Sequence, residues 1–227
     1  MFFCGEFVLS VYMKEPLEKA QACVIWMHGL GADASDMMGL ADQLMIEDVV
    51  LRHVFLDAPR RPVTLNGGMV MPAWYDIYGL DLVDEEDKAG IEESESLICK
   101  VIDAQYNCGF RPHQIFLAGF SQGGAMALHT ALHITDRLGG VIALSAYLPL
   151  VKHNKPQLDK NTPIFMGSGQ FDPLVLPKWT QQSKDWLLAQ GYNEVSFHQY
   201  PMEHSICFEE IKDLSFWLNK QVQGVLQ

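Results

Sequence analysis

Gly119-Phe120-Ser121-Gln122-Gly123, with Gly124 after it, sets a serine between glycines two residues away on either side. The apolar run Ile115-Phe116-Leu117-Ala118 reads as a buried strand, and residues 125–132 read as a helix. A turn sharp enough to join the two crowds positions 119 and 123, so neither can carry a side chain. It leaves Ser121 strained at the tip with its hydroxyl exposed. The N–H groups at the start of the helix then face any oxyanion formed there. That is an arrangement for nucleophilic acyl transfer. The plainer alternative is a serine that caps a helix in an ordinary strand-to-helix turn. The strand before and the helix after favour the nucleophile.

A serine hydroxyl is a poor nucleophile at neutral pH and needs a base, itself oriented by a carboxylate. Five histidines lie downstream: His129, His133, His153, His198 and His204. His129 and His133 fall inside the helix behind the serine, so packing and surface roles suit them. His153 sits in a polar segment, and His198 falls inside the last strand. His204, in Tyr200-Pro201-Met202-Glu203-His204-Ser205, falls in a loop between that strand and the last helix. Catalytic groups gather in loops at strand carboxyl ends, so His204 is the expected general base. Asp172 is the acid in the loop Gly169-Gln170-Phe171-Asp172-Pro173-Leu174-Val175, after the preceding strand. A turn or cap role before Pro173 competes, and Asp159 and Glu203 are fallbacks. The oxyanion needs two backbone donors. Gln122 is one, and Leu30 in His28-Gly29-Leu30-Gly31-Ala32 is the other. His28 precedes the serine and is read as a hydrogen-bonding support of its own loop.

These residues need a scaffold. Strands are expected at 7–13, 22–28, 53–57, 114–118, 141–145, 163–168 and 194–200, and helices at 35–46, 91–107, 122–134, 177–190 and 205–223. The alternation implies an α/β fold with a mostly parallel sheet covered by helices. The 227 residues fit one domain, 1–227, and at that length roughly 70% of the unfolded surface can be buried. A hydrophobic content of 48% excludes a disordered chain. The net charge of −12 argues against nucleic acid or an anionic membrane as partner. No run is long enough to span a membrane, and the opening residues lack the basic and apolar regions of a signal peptide. Five cysteines with no Cys-x-x-Cys spacing point to reduced thiols and a cytoplasmic location. The stretch 58–87 reads as a long irregular loop of the functional kind. The acidic run Asp84-Glu85-Glu86-Asp87, continued by Glu92, Glu93 and Glu95, reads as a solvated helix start rather than a calcium loop.

The combination of His28-Gly29-Leu30-Gly31, Met71-Pro72-Ala73-Trp74-Tyr75-Asp76-Ile77, Gly119-Phe120-Ser121-Gln122-Gly123-Gly124, Asp172-Pro173-Leu174-Val175 and Met202-Glu203-His204-Ser205 resembles the phospholipase/carboxylesterase family of α/β-hydrolases. That family includes acyl-protein thioesterases and small bacterial carboxylesterases. The likeness runs from about residue 22 to 218. It implies an α/β-hydrolase fold without a large cap domain and a triad of Ser121, Asp172 and His204. It implies oxyanion donors at Leu30 and Gln122, and no metal or other cofactor. The implied substrates are carboxylic esters or thioesters of medium to long acyl chains, borne by a small molecule or an acylated protein. Family members often carry His-Gly before the aspartate, where this chain has Gly167-Ser168-Gly169. Leu65, Met69, Met71, Trp74, Leu174 and Leu176 are expected to wall an acyl groove. Lysophospholipid cleavage and a silent acyl-binding protein are the alternatives, and a weak homodimer is compatible with both. A cysteine-dependent dienelactone-type hydrolase is disfavoured by the serine.

Overall fold

In the computed structural model, residues 2–4, 7–47, 49–79, 81 and 85–225 are described. Eight strands form one sheet: β1 (Phe2–Cys4), β2 (Phe7–Lys14), β3 (Ala22–Met27), β4 (Leu51–Asp57), β7 (Ile115–Phe120), β8 (Gly140–Leu144), β9 (Ile164–Gly169) and β10 (Val195–Tyr200). Their spatial order is β1-β2-β4-β3-β7-β8-β9-β10. The six strands from β4 to β10 in that order are mutually parallel, and β1 and β2 are antiparallel additions at one edge. This is the α/β-hydrolase architecture the motifs imply. The chain order reverses at β3, which has β4 on one side and β7 on the other. Such a reversal opens a crevice at the carboxyl ends of the strands. The loops bearing Leu30 and Ser121 leave from β3 and β7 at that point.

The central strands read as continuous apolar runs because both faces are covered. Alternate residues feed two cores. Ile25, Met27, Leu117, Val141 and Met166 pack under α2 (Lys88–Asn107), α3 (Gln122–His133) and α4 (Pro177–Ala189). Val24, Trp26, Phe116, Ile142 and Phe165 pack under α1 (Ala34–Ala41) and α5 (Phe208–Val225). Helix α1 stops at Ala41, short of the expected 46. Helix α5 begins only at Phe208, which leaves His204 in a loop. Among the described residues, no helix is long and apolar enough to cross a membrane.

The stretch 58–87 is not irregular throughout. It holds an antiparallel hairpin of β5 (Arg60–Val63) and β6 (Met69–Pro72). Pro62 and Pro72 obscure it in the sequence, yet a two-stranded hairpin has edge positions that need no N–H donor. Gly67 and Gly68 close its turn at φ 65° and 77°. The acidic run is also more than solvated. Asp87 caps α2 through Gly90 N (3.0 Å) and accepts from Asp76 N (2.9 Å). Both carboxylate oxygens of Glu86 take the Leu150 N–H (2.9 and 3.0 Å), and burial pushes that carboxyl up to about 7. Asp84 lies outside the described residues.

One contact between α5 and the sheet is unusual. Glu210 is fully buried, and a Cβ at Gly167 would collide with its carboxyl. The glycine in β9 therefore makes room for an acid. Among the described residues neither carboxylate oxygen has a hydrogen-bond partner. Burial first, and then the charge of Asp213, push Glu210 up to about 8. The folded state thus holds a proton that the unfolded chain releases above about 4.5. Stability should fall as pH rises between those two values and level off beyond about 8. Glu210→Gln should remove that slope and be more stable than the parent at the alkaline end. Urea unfolding across the pH range measures both, and a variant with an unchanged slope would refute the buried proton.

Candidate active site

The sharp turn after β7 is held from three sides. Ser121 sits at φ 55° and ψ −120°, a conformation that costs a non-glycine residue about 1–3 kcal/mol. Its N–H donates to Leu144 O at the end of β8 (2.8 Å), and its carbonyl accepts from Ala125 N (3.0 Å) as α3 begins. A Cβ at Gly119 would run into the backbone of Gly123 and Gly124, as the motif demands. A Cβ at Gly123 would instead run into the carbonyls of Met27 and His28, at the end of β3. Gly124 adds a third constraint, since its Cβ would stand 2.7 Å from that of Ala146. The turn is therefore wedged between β3 and β8.

The loops after β9 and β10 are laced together, with Gln170 N on Tyr200 O (2.8 Å) and Phe171 N on Met202 O (3.1 Å). That lacing carries Asp172 and His204 toward each other. His204 Nδ1 lies 2.7 Å from Asp172 Oδ2, and His204 Nε2 lies 2.9 Å from Ser121 Oγ. The other Asp172 oxygen accepts from Leu174 N and Val175 N, both at 2.9 Å. The aspartate side chain is fully buried. A carboxylate that only accepts requires the proton on Nδ1, which leaves Nε2 free to accept from the serine hydroxyl. The Phe120 ring packs on the imidazole with centroids 4.8 Å apart. Ser121, Asp172 and His204 thus meet in one hydrogen-bonded chain, while Asp159 and Glu203 have no part in it.

Leu30 and Gln122 line the same cavity as Ser121. Gln122 opens α3, so its N–H is among those a helix start leaves without an internal partner. The side chain of Gln122 has a task the sequence did not suggest. Its Oε1 accepts from Trp74 N (2.8 Å) and its Nε2 donates to Tyr75 O (2.7 Å). Trp74 Nε1 donates in turn to His28 O (2.9 Å). His28 supports its loop, accepting from Ala58 N at Nε2 (3.0 Å) with Nδ1 2.7 Å from Gly29 O. Burial pushes that imidazole below its ordinary range.

A cavity of about 570 Å³ opens over Ser121. Leu65, Leu174 and Leu176 are on its wall, as expected. Met69, Met71 and Trp74 are not. Met69 lies on the hairpin, 64% exposed, Met71 packs beside Gly31, and Trp74 is fully buried beneath the loop. The wall also takes in Tyr75, Ile77, Tyr147, Val175 and Trp179, and the acid Asp36, none of which sequence reasoning placed there. The hydroxyls of Tyr75 and Tyr147 meet at 3.2 Å, and burial pushes both phenols up. One of the two hydroxyls donates to the other.

The phospholipase/carboxylesterase family model matches residues 10–222. Acyl-protein thioesterase 1 of Neurospora crassa is 37% identical over 90% of this chain and 88% of its own length. Among solved structures, Arabidopsis thaliana SOBER1 superposes with a TM-score of 0.80 at 28% identity, covering 88% of this chain and 99% of that one. Zea mays acyl-protein thioesterase 2 does so with a TM-score of 0.80 at 25% identity, covering 94% and 99%.

Gln122→Ala should leave the buried Trp74 N–H and Tyr75 carbonyl without partners. The expected loss is about 2–3 kcal/mol. Gln122→Glu can accept from Trp74 but not donate to Tyr75, and should also destabilise. Urea denaturation gives both numbers, and two neutral results would remove the side chain from any structural role.

Proposed function

The chain belongs to the phospholipase/carboxylesterase family, and from that premise we propose that it cleaves carboxylic esters or thioesters of acyl chains through an acyl-enzyme on Ser121. One observation carries this reading: the Ser121–His204–Asp172 hydrogen-bonded chain lies at an apolar cavity. In the first half-reaction Ser121 Oγ attacks the acyl carbonyl as His204 Nε2 takes the hydroxyl proton. Asp172 keeps the proton of Nδ1 in place and stabilises the imidazolium. The N–H groups of Leu30 and Gln122 receive the oxyanion, and donors fixed in a dry site act with little reorganisation. His204 then protonates the leaving alcohol or thiol. Water enters by the same route, gives its proton to His204, and releases the acid.

The shape of the cavity supports the substrate class. Leu65, Ile77, Leu174, Leu176 and Trp179 offer an acyl chain an apolar stretch of wall, and Asp36 is the acidic side chain on the lining. Leu174 is 60% exposed and lies at the rim of the cavity. Acylated proteins and small acyl esters both satisfy that geometry, in keeping with the names of the related thioesterases.

Hydrolysis of p-nitrophenyl esters from acetate to palmitate, and of matching acyl thioesters, tests the proposal. Ser121→Ala should lose on the order of 10³-fold or more in turnover. Asp172→Asn should stay folded and lose about 10⁴-fold, because the imidazole is then held in the wrong tautomer. The longer esters should be favoured over acetate. Turnover that survives Ser121→Ala in a clean preparation would overturn the assignment.

A further inference from the structure

Helix α3 begins behind Ser121 and ends about three turns later in two histidines. His129 and His133 are four residues apart, so their rings share one face of the helix. The rings stand edge to face with centroids 4.5 Å apart. Glu95 of α2 reaches both. Its Oε2 lies 3.0 Å from His129 Nε2, and its Oε1 lies 2.9 Å from His133 Nδ1. One ligand atom from each of the three residues falls within 4.8 Å of the others. Sequence reasoning assigns the histidines to packing and surface, and the family resemblance implies no metal.

The three side chains converge from two helices, with the Glu95 carboxylate facing one ring nitrogen of each histidine. His129 is buried, and Glu95 and His133 are partly so. A divalent cation can take two neutral imidazoles and one carboxylate together. Two imidazoles and a carboxylate suit zinc and its neighbours. A cleft of about 210 Å³, lined by Cys99, Tyr106 and Asp136 among others, reaches His133, the most exposed of the three.

We propose that Glu95, His129 and His133 form a binding site for a divalent transition-metal ion of the zinc class, which ties α2 to α3. With three protein ligands, water takes the remaining position. At 1.5 Å rise per residue, the ligands on α3 stand about 12–18 Å along the helix from Ser121. The ion is therefore too far away to touch a reacting carbonyl. Its effect is on stability, since a ligand bound only by the folded state raises the unfolding temperature with its own concentration.

The test uses the full chain, stripped with a chelator and titrated with Co²⁺ by absorption and with Zn²⁺ by competition and thermal unfolding. The expected result is one saturable equivalent per chain and an unfolding temperature that climbs with Zn²⁺. His133→Ala and Glu95→Gln should each weaken binding at least about tenfold. Ser121→Ala and the exposed His153→Ala should bind as the parent does. His133→Gln serves if the alanine variant fails to fold. Absence of saturable binding would overturn the proposal and leave a metal-free ion pair. Binding that survives in both Glu95→Gln and the His133 variant would overturn it too, by placing the ion elsewhere.

Discussion

The fold turns on one steric constraint: the backbone after β7 must pass between β3 and β8 with no side chain in the way. Gly119, Gly123 and Gly124 meet backbone or Cβ atoms on three sides, and each would collide if it carried a Cβ of its own. Only that close fit keeps Ser121 at φ 55°. The strain is held by the Leu144 carbonyl on one side and the first turn of α3 on the other. Because β3 is the strand where chain order reverses, the same wedge places Ser121 beside the loop of Leu30.

The remaining groups reach Ser121 through loops that brace one another. Asp172 and His204 leave from adjacent parallel strands, and backbone hydrogen bonds between their loops set the spacing. Asp172 has no freedom left, with two N–H donors on one oxygen and the imidazole on the other. On the opposite side, Gln122 holds Trp74 and Tyr75, and Trp74 holds His28. The residue proposed to supply an oxyanion N–H thus also anchors the cavity wall with its side chain. Preorganisation of this kind makes fixed donors effective at a developing charge.

The sequence was most legible where chemistry is local. Ser121 announces itself because the turn restricts its neighbours. Asp172 and His204 follow from their positions after successive strands. What stayed hidden depends on partners far apart in the chain. Gln122 and Trp74 are 48 residues apart, and Glu95 and His129 are 34 apart. No local period encodes such contacts. The hairpin of β5 and β6 was masked by its prolines, which propensity counts against strands although edges tolerate them. Met69, Met71 and Trp74 were placed on the groove by proximity to its motif, but strand alternation and burial turned them away. The need for glycine at Gly167 in β9 comes from Glu210, 43 positions further on in α5, and no local pattern signals that contact.

The central claim is that Ser121 is a nucleophile activated by His204. A fluorophosphonate reacts with an activated serine and marks it covalently, so peptide mass mapping of the labelled chain tests the claim most directly. The account predicts one adduct per chain, on Ser121, forming at least about 10³-fold more slowly in His204→Ala, in line with the loss of a catalytic base. No adduct on the folded protein, or an adduct that forms equally fast without His204, would contradict it.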